Sequence, residues 1–400
     1  MRIEIYAHRS RYDERRKTNY HIEFKGLNMN NFKGLTWGHP RGYLPLQAWA
    51  TEDKGVDVDW SIQKLEGFES HPIDELAREY DLLIVDNPGI GEAAEKQCLL
   101  PLEDFLNEEQ MFFLKQTSMG ASYESYRYEG KHWAIPVDAA SQVCARATTG
   151  DVPQPESWND VVKLSQEFSG KIAMSLGGPH ALLTFYSISQ SLDGRLFVGN
   201  DLVLDCKTAV SALEIMREIF THQQHDLINL NPIGLLDAMQ NGMFDLCPAI
   251  FGYINYATPQ QGRAVTFSNI PHCGDSALRG SVLGGTGLAI SARCNPTPEL
   301  IEHLMRYASD GVQSSLVVNS GGQPSNITAW KSEQANLRTN NFFANTFETV
   351  SSAYVRPKYD GYIPFQDTSA AIIRAGLIGG DSAEHIFSSI KENHRNHLPG

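Results

Sequence analysis

Four side chains on one short loop carry the first chemical signal. Trp37, His39, Arg41 and Tyr43 lie in WGHPRGY, residues 37–43, among two glycines and a proline. Aromatic faces stack on the C–H faces of sugar rings, while Arg and His donate hydrogen bonds to hydroxyls or to a carboxylate. A structural turn whose aromatics cover a core is the competing reading. Binding is favoured, because a turn needs fewer bulky, polar-tipped residues than these four. Asp86 and Asn87 follow the apolar run DLLIV, residues 81–85. Both accept hydrogen bonds and suit a polyhydroxylated ligand, or they form an Asx-turn before Pro88-Gly89. Asp138 sits in GKHWAIPVDAASQVCARA, residues 130–147, either touching ligand or facing solvent. Phe251, Tyr253 and Tyr256 are a stacking wall or core. Gly284-Gly285-Thr286-Gly287 lets backbone approach a ligand closely. As a phosphate loop it is weak, since it precedes a strand and lacks the P-loop lysine. Arg356 and Asp367 read as surface charge.

Other chemistries are poorly supported. The sequence holds no GxSxG, HExxH, Walker or CxxC…CxxC pattern, so no catalytic residue, metal or cofactor is assigned. Its six cysteines are scattered and read as buried free thiols rather than a disulfide scaffold. A net charge of −14 opposes nucleic-acid binding. No run reaches the length of a membrane span. Residues 1–29 are charged, lack the apolar core of an export signal, and read as an arm. A length of 400 residues favours two domains over one.

These candidates need elements to hold them. Residues 33–36, 56–60, 81–85, 171–175, 244–250, 265–270 and 287–291 are expected strands. Residues 46–51, 73–80, 102–114, 158–168, 180–192, 208–223, 233–242, 298–308 and 382–394 are expected helices. Ser157 is a good N-cap and Pro298 a first-turn residue. Residues 130–147 read as a turn, a short strand, a polar crossing at 136–138 and a second strand. An extended crossing between two α/β units makes a hinge, unless it is an ordinary hairpin inside one domain.

The order of the pieces resembles the extracellular solute-binding proteins of ABC importers, carbohydrate-binding family 1. The matching stretches are YDLLIVDNPGIGEAAEKQCLLPLEDFL (80–106), YEGKHWAIPVDAASQVCARA (128–147), PQPESWNDVVKLSQEF (153–168), DLCPAIFGYINY (245–256) and LGGTGLAISARCNPTPELIEHLMRYAS (283–309), continued by Gln313 and GGQPSN (321–326). The resemblance spans roughly residues 32–394. It implies an α/β, two-lobed periplasmic-binding-protein-like fold, each lobe a mixed sheet flanked by helices, with a ligand cleft between them. Lobe 1 is expected from 30–136 and 262–315, lobe 2 from 139–256 and 320–400, with crossings near 136–140, 256–262 and 315–320.

The resemblance further implies a non-enzyme that closes on a sugar or sugar acid and delivers it to an ABC permease. It carries Trp37, His39, Arg41, Tyr43, Asp86, Asn87, Asp138, Tyr253 and Gly285 over as cleft residues. It implies a periplasmic location, whereas the missing export signal points to the cytoplasm. The alternative is a cytoplasmic enzyme or ligand sensor on the same fold, with His39 as its acid or base.

Overall fold

The computed structural model describes residues 31–64, 71–259, 261–274 and 279–399. The expected arm of residues 1–29 lies outside them. In chain order the main elements begin with β1 (Asn31–Trp37), α1 (Pro40–Glu52), β2 (Asp57–Gln63) and β3 (Leu82–Asp86). Then come α2 (Glu108–Thr117), β4 (Ile135–Ala147), α3 (Trp158–Glu167), α4 (His180–Ser191), α5 (Cys206–His222) and α6 (Pro232–Gln240). The chain ends with β5 (Leu246–Phe251), β6 (Val265–Ser268), β7 (Leu283–Ile290), α7 (Pro298–Tyr307), α8 (Phe342–Ser351), α9 (Tyr362–Gly379) and α10 (Ala383–His397).

Local chemistry sets several of these boundaries. Asn107 and Gln110 form a capping box that starts α2 at Glu108, so the helix expected from 102 splits into a 3-10 turn and a later helix. Ser157 and Asp160 do the same for α3. His39 caps α1 in place of the usual Ser or Asp, its Nδ1 accepting the Arg41 N–H. Residues 171–175 form no strand; Ile172 makes a single bridge to Leu246.

The strands join in the order β6-β4-β7-β3-β1-β2, with β5 also on β4. β1 runs parallel to β2 and β3, and β7 runs antiparallel to β3 and β4. β4 is the element shared by two halves. Its residues 135–141 pair with β7, and its residues 142–146 pair with β5. Residues 130–147 therefore do not break at 136–138, because Asp138 is paired inside one continuous strand. β6 falls in the 262–315 segment expected with lobe 1, yet it pairs with residues 144–147 of β4, on the edge opposite β5. The register slips between Thr286 and Gly287, opposite Asp138. Gly285 takes φ +101°, and a Cβ there would lie 2.3 Å from the Asp138 carbonyl oxygen.

One core packs α3, α4, α5, α9 and α10 around Trp158, Phe185, Phe365 and Phe387. A second, around Leu83, Val85 and Tyr126, lies on the β1–β3 side. The largest runs from Phe32 and Ile84 through Val143 and Ile250 to Phe342, and so passes from one half into the other.

Residues 354–360 tie the halves together again. Tyr354 donates to the Ser281 carbonyl at 2.8 Å, and Tyr354 and Tyr359 pack with the α4–α9 core. Between them Lys358 donates to the carbonyls of Glu124 and Ser125 at 3.1 and 3.2 Å, on the β3 side. Burial lowers its ammonium pKa to about 8. The Lys358 carbonyl sits where a Cβ on Gly91 would be, 1.5 Å away.

Candidate ligand-binding site

The carboxyl ends of β1, β3 and β5 converge on a cavity of about 650 Å³. That is where open α/β sheets place ligands, and the size falls within the usual range for small molecules. Trp37, Arg41, Asp86, Tyr253 and Gly285 all line it. The sequence placed these five far apart, and the fold gathers them.

Arg41 anchors the inner wall. Its Nε donates to Asp138 Oδ2 at 2.8 Å, Nη2 donates to Oδ1, and Nη1 donates to the Gly252 carbonyl at 2.9 Å. The guanidinium also lies 4.8 Å from the Tyr253 ring centroid and 5.7 Å from that of Trp37. Gln323 completes the knot. It accepts from the Ile254 N–H at 3.0 Å and donates to the Ala139 carbonyl at 3.2 Å. Asp138 is thus a buried counter-ion to Arg41 on β4, and the pair stitches α1 to β4 and to the end of β5.

His39 belongs to the same knot. It stacks on Trp37 at 5.6 Å and meets Tyr253 edge-on at 4.8 Å. Burial, then the Arg41 charge, lower its pKa to about 3, which keeps the imidazole neutral. A capping, neutral His39 is poorly placed for the acid–base role of the enzyme alternative. Tyr43 is half-buried on α1 and Asn87 is fully buried; neither lines the cavity.

A second arginine lines the cavity. Arg356 is buried, contrary to the expectation of surface charge. Its Nη2 donates to both Asp86 oxygens at 3.2 and 3.1 Å, and Nη1 donates to Gln366 Oε1 at 2.9 Å. Gln366, Asp367 and Arg374 bring α9 into the same wall. Burial raises the Asp367 carboxyl above its ordinary pKa. Arg374 donates to the Leu176 carbonyl at 2.9 Å and also to that of Gly178. His180 and Phe251 line the cavity from the start of α4 and the end of β5. The signal for Arg356 was thin, since 270 residues separate it from Asp86. Among the described residues no cluster of His, Cys, Asp and Glu could hold a metal ion. No helix described is long and apolar enough to cross a membrane.

No family model matches the chain, and no curated protein matches it by sequence. Solved structures do. Maltose-bound MalE3 of T. maritima superposes with a TM-score of 0.77 at 16% identity, covering 92% of this chain and 100% of its own. A solute-binding protein of an ABC transporter from Agrobacterium radiobacter, in complex with ribitol, gives 0.77 at 15%, covering 92% and 98%. One from Thermotoga lettingae, bound with α-D-tagatose, gives 0.73 at 16%, covering 92% and 100%. The chain therefore has the two-lobed α/β fold seen in the solute-binding proteins of ABC transporters.

Proposed function

We propose that this protein is the solute-binding component of an ABC importer, closing on a neutral sugar or polyol in the cavity. The arrangement of charge in the cavity carries the reading. Arg41 is committed to Asp138, Arg356 to Asp86, and Arg374 to two backbone carbonyls. Two of the three lining guanidinium charges are already met by a carboxylate, which favours a neutral ligand over the sugar acid. Trp37, Tyr253 and Phe251 supply stacking faces beside these polar groups. The neighbours that carry maltose, ribitol and tagatose support the same class.

Lobe 1 comprises β1–β3, the first half of β4 and β7. Lobe 2 comprises the second half of β4, β5, β6 and helices α3–α5, α9 and α10. Closure swings the lobes about the middle of β4, and ligand contacts made to both lobes stabilise the closed form. An importer component of this kind works outside the cytoplasm and hands its load to a permease. A thermal-shift screen with maltose, ribitol, D-tagatose and D-mannitol tests the reading, with glucuronate as the acidic control. A neutral polyol should raise the melting temperature and glucuronate should not. Stabilisation by glucuronate alone would refute the neutral-ligand assignment.

A further inference from the structure

His180 opens α4 on the lobe-2 wall, after the turn Gly177-Gly178-Pro179. The residue is 4% exposed and lines the cavity. Neither Nδ1 nor Nε2 has a hydrogen-bond partner among the described residues. Its ring meets Phe251 edge-on at 5.7 Å, a contact that uses no nitrogen. Arg374 holds the turn by the carbonyls of Leu176 and Gly178, so the backbone that presents His180 is fixed from α9.

A buried imidazole whose two nitrogens find no protein partner is a poor choice for stability, because neither regains from the protein the hydrogen bond it makes in solvent. Apolar side chains would fill the site better. A polar group retained there, on a ligand cavity, points to a partner that arrives with the ligand. We propose that His180 is a specificity-determining residue that hydrogen-bonds hydroxyl groups of the bound sugar or polyol. The inference rests on the function proposed above.

The chemistry follows from the neutral ring. One nitrogen carries a hydrogen and donates; the other has a lone pair and accepts. A hydroxyl can serve either nitrogen, since it both donates and accepts, whereas a carboxylate can only accept. The ring stays neutral because burial, with Arg356 and Arg374 nearby, lowers its pKa to about 3. Donor and acceptor are therefore both present throughout the neutral pH range. A site built to pair a hydroxyl discriminates strongly against analogues that lack it.

The test pairs His180→Leu with His180→Asn. Melting temperatures are measured without ligand, and affinities for maltose and ribitol by calorimetry. Leu removes the two unpaired polar atoms, so the empty variant should melt about 1–4 °C higher. Its affinity for the bound polyol should fall roughly ten- to a hundredfold. Asn restores a donor and an acceptor and should recover part of that loss. Wild-type affinity should be flat from pH 5 to 8. A lower melting temperature for the Leu variant, or affinity within twofold of wild type, overturns the role given to His180 and leaves the binding function standing. Failure of wild type to bind any polyol sinks that function and this role with it.

Discussion

Two arginine–aspartate pairs, each beside a neutral histidine, reach the cavity, one through Arg41 alone and the other through both Arg356 and Asp86, and they behave as opposites. In the Arg41 group every guanidinium nitrogen donates, the Asp138 side chain is 9% exposed, and His39 Nδ1 caps a helix. In the Arg356 group Nε has no partner, the Asp86 side chain is 32% exposed, and His180 uses neither ring nitrogen. The residue types are the same, so type does not explain the contrast. Position in the sheet does. Asp138 lies inside a paired strand, where backbone and side chains on both flanks satisfy its neighbours. Asp86 is the last residue of β3, where pairing ends and the cavity begins. Both groups join elements of the two halves, but only the second has polar capacity left for a ligand.

Removing Asp138 should have the largest effect. Asp138→Ala leaves the Arg41 charge buried and unpaired, and should cost about 3–5 kcal/mol in urea denaturation. A loss below about 1 kcal/mol would erase the distinction between the two groups.

Acid should separate the groups next. His39 and His180 are held near pKa 3, against 6.5 unperturbed. Between these values the unfolded chain binds a proton at each position and the native protein does not. The stability each neutral ring contributes is therefore complete above about pH 6.5. It is lost as pH falls, by about 1.4 kcal/mol per pH unit for each ring. Urea midpoints at pH 7 and pH 5 read this directly. The His180→Leu variant should lose one proton's share of the slope while keeping the Arg41 knot intact. An unchanged slope would mean that His180 is charged or exposed in solution.

Arg356→Gln should have the smallest effect on stability, about 1 kcal/mol, because solvent reaches the Asp86 carboxylate it leaves behind. Affinity for a polyol ligand should nevertheless fall tenfold or more. If stability drops as far as in Asp138→Ala while affinity holds, the second pair is a structural clasp as well.

Much of this was legible along the chain, and the exceptions share a cause. Trp37, Arg41, Asp86, Tyr253 and Gly285 could be singled out because they fall near the ends of apolar runs or beside glycines, signals that are read locally. The apolar run before Asp86, the cap at Ser157 and the first-turn Pro298 are local signals read at short range. His180 looked like any first residue of a helix. Arg356, in YVRPKYDGY, looked like surface charge because nothing near it is acidic except Asp360. The role of Asp138 was half visible. Its place in the 130–147 stretch could be read, but not that it lies inside one continuous strand or that Arg41 would occupy its carboxylate.

By itself the sequence determined the elements, their order and the strand-end loops from which a polar ligand site could be drawn. Those depend on spacing and capping, interactions only a few residues long. Tertiary structure alone decided which polar groups satisfy one another and which remain for a ligand. Hydrogen-bond capacity is spent between strands and helices up to 270 residues apart, and no local pattern records that distribution.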